Sequence, residues 1–490
     1  MTRFAGAESV TCPARLRGHS DGCRGMSSMA KRHNISGVLP HLAVKADHLP
    51  RRTETGIGAL MPWANRLWFV TYVAHKAGTG GGTGLFSVDD DLNITKHPES
   101  VVGTYANRMV HSPSTQIIIG PHIIDVDGIV RTFESLVDIR ITATAEHLFD
   151  PQNKVYMLGM EGELFEADVN TLETRMICDV TSALGMTQPG DPYHAQPHFK
   201  GACSGHGRLV VANNTYEDAD HLGLAARGRL AEWDGETWTI IDTAQYNEVM
   251  GRQNIGSALF ATGQDRASAI LKVFVQGRWD TYRLPKGTHT QDHTVTTEWP
   301  RIREVESERW LMNVCGMFYE LPAMQYGGKV WGVRPVCTHL RIIGDFCAWN
   351  GMLVLAGDQT TPINDSNPYV GQPQANLWLG KSDDLWSWGK PKGWGGPWYR
   401  TLVKAGEQSD PFLMTGFESK CLHLSHDSEG AVTFGILVDF HGDGVWNLLR
   451  EITVPGQGYV AHCFEPGFCA HWVRLVADRD CEASAQFFYT

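Results

Sequence analysis

Two histidines four residues apart, His289 and His293, stand in the stretch GTHTQDHTVTTEWPRIRE (287–304), ahead of Trp299 and Arg301. Imidazoles take and give protons near neutral pH. Guanidinium groups hold a carboxylate through a planar fork, and indoles offer flat apolar faces to sugar rings. The same residue types recur along the chain: His75, Arg108, His122, His194 and His198 in PYHAQPHFK, Arg252, His339, and Trp394 and Trp398 in GKPKGWGGPW. Gathered together, they suit β-elimination on an acidic sugar. In that reaction Arg or a metal neutralises a uronate carboxylate, a His or Tyr base removes the neighbouring proton, and an acid protonates the leaving oxygen. Hydrolysis would call instead for two carboxylates about 5 to 9.5 Å apart, for which Glu161 and Asp358 are the candidates. A third possibility is a metal, with His289 and His293 on one ion and His198 or His339 as a further ligand.

Residues so far apart meet only if the fold gathers them. The pattern that could do so is a repeat: a polar or Gly-containing turn, an apolar β-branched or aromatic run, a break, and a second short run ending near Asp. WANRLWFVTYVAH opens the first unit, with its turn at Ala64 to Arg66; ESERWLMNVCGMFYEL forms the sixth and WNGMLVLAGDQTT opens the seventh. Seven units spaced by roughly 40 to 60 residues match four-stranded propeller blades, and strands of about five residues bounded by turn residues fit each blade. A pair of β-sandwiches, or an eighth blade, are the alternatives. From about residue 405 (roughly the last 85 residues) long alternating runs such as AVTFGILVDFHGDGVWNLLREITVP read as an antiparallel sandwich with one face solvated, a last blade being the competing reading. The expected fold is all-β: a seven-bladed β-propeller with a C-terminal antiparallel β-sandwich. Residues 1–32 form a disordered leader, 33–404 the propeller and 405–490 the sandwich.

In a propeller the first strand of each blade runs away from the face where blade-to-blade loops gather, and the second returns to it. Starts of first strands, ends of second strands and the loops between blades therefore share one mouth. This sorting sends His75, Arg108, His122, His194, His198, Arg252, His289, His293, Trp299, Arg301, His339, Trp394 and Trp398 to the mouth. His111, His147 and His206 go to the opposite face. His122 and His198 are the expected acid/base pair, Arg108 and Arg301 the carboxylate clamp, and the others bind substrate.

Bulk properties narrow the class. The net charge of −12, with no Lys/Arg block, speaks against a nucleic-acid binder. No apolar run approaches the roughly 20 residues of a membrane span. Eleven cysteines without CxxC spacing read as free thiols of a reducing compartment. The N-terminal stretch lacks the apolar core of a signal peptide, Met29 is an alternative start, and a cytoplasmic location follows as an expectation. GTGGGTG (78–84) lies between two strand runs and reads as a flexible loop rather than a phosphate cradle. The GxSxG elbow of serine hydrolases is missing.

The stretches YANRMVHSPSTQIIIGPHIID, AQPHFKG, GRLAEWDG, TEWPRIRE, LRIIGDFCAWNGMLVLAGDQ and CAHWVRLVADRDC, spread from about residue 33 to the end, resemble a group of large bacterial and fungal β-propeller proteins. Among these the chain is similar to the seven-bladed propeller polysaccharide lyases that act as L-rhamnose-α-1,4-D-glucuronate lyases. The resemblance implies an exo-acting lyase on a uronate-containing oligosaccharide, His and Tyr acid/base residues, neutralisation by Arg, and room for a bound calcium. Glycoside hydrolysis of the same glycans and a non-catalytic glycan-binding propeller are the alternative functions. Such enzymes are usually exported, so the missing signal peptide departs from the pattern.

Overall fold

The computed structural model describes residues 37–38, 44–45, 55–73, 83–186, 197–215, 227–251, 258–288, 299–322, 330, 332–362 and 371–490. Among these residues, seven antiparallel meanders follow one another, here sheets 1 to 7. Their first strands are Thr55–Trp63, Arg108–His111, Ile141–Glu146, Phe199–Gly205, Gln245–Gly251, Arg301–Glu306 and Ile343–Trp349. Each first strand lies against the first strand of the next sheet, and that of sheet 7 lies against that of sheet 1. The succession therefore closes on itself.

Turn chemistry makes the meanders. Ala64 and Asn65, Cys315 and Gly316, and Asn350 and Gly351 place both central residues of two-residue hairpin loops at positive φ, the primed turn whose twist matches that of paired strands. Buried aliphatic and aromatic side chains then fill the space between sheets: Ile57, Leu67 and Phe69 of sheet 1 pack with Val354, Ala356 and Leu377 of sheet 7. At that seam Gly344 is required by space, because a Cβ there would sit 2.0 Å from the carbonyl oxygen of Ile57. An N-terminal strand, Gly37–Val38, supplies the outermost position of sheet 7, pairing Gly37 with Leu379 and Val38 with Trp378. Both ends of the ring are thus fastened in one sheet.

First strands carry a bulge near their starts. The register shifts between Ile57 and Ala59, Ile141 and Ala143, Phe199 and Gly201, Tyr246 and Glu248, and Ile343 and Phe346. A bulge re-aims side chains that a regular strand would alternate, and Lys200 and Asp345 fall in two of them.

The C-terminal region contributes two further four-stranded layers. One pairs Gly393–Val403, Cys481–Tyr489, Lys420–His426 and Tyr459–Cys463 in that order. The other, Phe412–Leu413, Trp472–Ala477, Val432–Asp439 and Asn447–Val454, continues sheet 5 through the parallel pairing of Arg283 with Phe412. Phe434, Ile436 and Leu475 of one layer and Leu422, Ala485 and Phe487 of the other share a single core with Phe260 and Leu271 of sheet 5 and Trp310 of sheet 6. Arg283 fastens the junction, 2.8 Å from Asp265 and 3.0 Å from Asp410.

Two positions differ from the sequence expectation. Trp394 and Trp398 belong to the strand Gly393–Val403 rather than to a loop at the mouth, and that strand starts before the expected boundary at residue 405. Its glycines read as a loop signal but serve close approach: a Cβ on Gly396 would lie 1.9 Å from the Ala485 carbonyl oxygen. Sheet 5 also begins earlier than its repeat unit suggested, at Gln245.

Candidate functional site

Residues from all seven first strands line one axial cavity of about 910 Å³, within the size range of small-molecule sites. At the strand starts a chain of charged groups crosses it. The Asp345 carboxylate takes Arg303 Nε at 2.7 Å, Arg108 Nε at 3.3 Å and the Leu60 backbone N–H at 2.8 Å. Arg303 continues through Nη1 to Glu248 at 2.7 Å, and Arg301 Nε stands 3.9 Å from the same Glu248 oxygen. Asp345 is fully buried and the flanking arginines nearly so. Burial alone would raise the Asp345 carboxyl, yet Arg108, Arg303 and Arg301 outweigh it and hold its pKa below the usual value. Burial lowers the Arg108 guanidinium from its ordinary range, with Asp345 opposing that shift.

Trp299 closes one side of this network. Its ring, buried and outside the cavity lining, lies tilted against Tyr72 with centroids 4.7 Å apart, while the Arg301 guanidinium carbon lies 5.2 Å and Lys200 Nζ 5.8 Å from its centre. Four cations, Arg108, Lys200, Arg301 and Arg303, therefore meet two carboxylates, Glu248 and Asp345. Among the described residues Glu146 and Glu304 also line the cavity. Buried ion networks contribute little to stability that apolar packing would not match, so their placement along a cavity points to a ligand.

Of the sequence-derived candidates, the structure brings Arg108, Trp299 and Arg301 together. His198 directly precedes the first strand of sheet 4, two residues before Lys200. Its Nδ1 lies 3.1 Å from Asn214 Oδ1. His122 is elsewhere: it starts the third strand of sheet 2, His122–Ile124, rather than ending the second. It is two strands out from the cavity, with Nδ1 2.9 Å from Thr132 Oγ1. His339 follows the outer strand of sheet 6, buried with Nε2 2.9 Å from Asn313 Oδ1 and its ring tilted against Phe318. Burial pushes both imidazoles down to about 4, which suits fixed neutral groups and not acid/base work at neutral pH.

Trp398 is buried in the C-terminal core, and Trp394 stacks on Phe488 with its Nε1 donating to the Thr288 carbonyl. Neither lines the cavity. His75, His194, Arg252, His289 and His293 lie outside the described residues. His111, His147 and His206 sit at the far ends of the first strands, His111 bonded to Ser114 and Pro151 and His147 to Glu166.

Sequence reasoning missed Arg303, Asp345, Glu248, Lys200 and Tyr72. Arg303 had a signal: in a strand starting at Arg301, position 303 returns to the same face. Asp345, alone among apolar residues in IIGDFCAW, is the kind of charge that is buried only when paired. Among the described residues no group of three or more His, Cys, Asp or Glu could hold a metal ion.

Sheets succeeding one another around an axial cavity define a β-propeller. Solved structures similar to this chain are of diverse kinds. The β-propeller domain of Cps50 (Swd1) from Myceliophteria thermophila is 11% identical, with 68% of this chain and 99% of that chain covered and a TM-score of 0.37. An exo-β-1,3-galactanase from Phanerochaete chrysosporium with galactose is 5% identical, with 69% and 93% covered and a TM-score of 0.25. A luciferin-regenerating enzyme is 7% identical, with 71% and 97% covered and a TM-score of 0.35. No protein-family model and no curated protein matches the chain. Among the described residues no helix is long and apolar enough to cross a membrane.

Proposed function

We propose that the chain is a seven-bladed β-propeller, one blade per meander, with a C-terminal β-sandwich, and that it is a lyase acting on a uronate-containing oligosaccharide at the axial cavity. The observation that carries this reading is that four cations, Arg108, Lys200, Arg301 and Arg303, come together at one end of the cavity. An anionic sugar would place its carboxylate against the cavity-lining Arg301 and Lys200. Arg108 and Arg303, already engaged by Asp345 and Glu248, hold the clamp in place.

In β-elimination the cations stabilise the charge that develops on the carboxylate as the adjacent proton leaves. His198 is the proposed base, and Tyr72, packed on Trp299, is the second group of the right chemistry. Elimination is favoured over hydrolysis by the carboxylates whose side chains are described; the Asp358 side chain lies outside the described residues. Asp345 and Glu248 are held by arginines, and Glu161 is bound by Arg140 Nε at 2.8 Å. A hydrolase would need two carboxyl groups released for proton transfer.

Incubating the protein with rhamnosyl-glucuronate glycans should produce the ultraviolet absorbance of an unsaturated uronate. His198→Ala should lower that rate by about 10²-fold or more, the scale of one acid/base group. Sugar release without the chromophore would establish hydrolysis, and saturable binding without any product would establish a glycan-binding propeller.

A further inference from the structure

The exposed sheet of the C-terminal region carries two cysteines placed for joint chemistry. Cys421, in Lys420–His426, is the direct cross-strand partner of Cys463, in Tyr459–Cys463, and their Sγ atoms are 3.3 Å apart. Both are free thiols, Cys463 exposed and Cys421 half-buried. The strand that bears Cys463 is the edge of its sheet, paired only to Lys420–His426. A second contact between these strands, His423 Nδ1 to Tyr459 Oη at 2.7 Å, holds them in register at the other end.

From this juxtaposition we propose that Cys421 and Cys463 are an oxidisable pair that closes to a disulfide with a low-molecular-weight disulfide such as oxidised glutathione, stapling the edge strand to the sheet. The Cys463 thiolate attacks one sulfur of oxidised glutathione, forming a mixed disulfide and releasing one glutathione. Cys421 Sγ then attacks the Cys463 sulfur, forming the protein disulfide and expelling the second glutathione. Two protein thiols are oxidised, one external disulfide is reduced to two thiols, and the protons leave with the glutathiones. Cys463 is the first nucleophile because it is the exposed member. Burial, with Cys463 beside it, pushes the Cys421 thiol up to about 11, so Cys421 serves as the resolving group. The geometry makes the second step intramolecular, and an edge strand that frays is the element a staple affects most. This inference does not depend on the proposed lyase activity.

The test incubates the full chain in glutathione buffers of increasing oxidised fraction, followed by alkylation, proteolysis and mass spectrometry. The expected result is a species lighter by two hydrogen atoms, a cross-linked peptide joining Cys421 to Cys463, and recovery of both thiols with dithiothreitol. Cys463→Ser should abolish the cross-link, and Cys469→Ser, on the adjoining loop, should leave it intact. The inference is overturned if both thiols stay alkylatable in excess oxidised glutathione. It is equally overturned if glutathione remains attached as a stable mixed disulfide or a different cysteine pair forms.

Discussion

Asp345 shows what a single residue contributes to this molecule. Its carboxylate bonds two arginines and a backbone N–H out of contact with solvent, so Asp345→Asn would leave Arg108 buried without its direct counter-charge and Arg303 with Glu248 alone. Breaking such a network costs about 3–5 kcal/mol, and the expected outcome is an unfolding free energy, read from urea denaturation at neutral pH, lowered by that amount. The two buried histidines set a pH dependence. Their folded pKa of about 4 lies below the unfolded value near 6.5, so between these pH values the unfolded chain binds more protons. Stability is therefore full above about pH 6.5 and falls as pH drops toward 4, by on the order of 3 kcal/mol for each group. His122→Gln should flatten that slope, as measured by chemical denaturation across the range; an unchanged slope would contradict the burial argument. At this scale Arg108, Trp299 and Arg301 were legible in the sequence because a strand start predicts where a side chain must gather. Asp345 and Lys200 were not, since both sit in bulges and a bulge defeats a period-two reading.

Among the elements, the first strands do most to set the site, and their closeness depends on small residues at the bulges. Gly344 faces the Ile57 carbonyl across the seam of sheets 7 and 1, where a methyl group has no room. Gly344→Ala should force the strands apart and lower stability by about 3 kcal/mol, the upper part of the range for overpacking, read as a shifted denaturation midpoint with an unchanged slope. The repeat of turns and apolar runs made the meanders readable before any coordinates. The strand Gly393–Val403 was hidden, because GWGGPW carries the glycines and proline of a loop while its tertiary role is a bulged strand against Cys481–Tyr489. His122 was misplaced for a related reason: the turn at Gly120 and Pro121 interrupts the apolar run, ends the second strand at Ile119 and puts His122 at the start of the third.

For the molecule as a whole, the C-terminal layers and sheets 5 and 6 share one core and are clasped by Arg283. A chain ending at residue 392 would expose Trp310, Phe260 and Leu271 to solvent, and it should be recovered aggregated where the full chain is monodisperse by size-exclusion chromatography. Sequence texture located the change to long alternating strands, but it could not show that the new layers extend sheet 5, because register across distant segments leaves no local trace. The account's central claim is that the axial cavity takes an anionic sugar at its cationic end. Diffraction from crystals soaked in a uronate disaccharide tests it most directly. The expected result is ligand density inside the cavity with its carboxylate within hydrogen-bonding distance of Arg301 or Lys200. Density with the carboxylate turned away from these cations, or bound only outside the cavity, would contradict it.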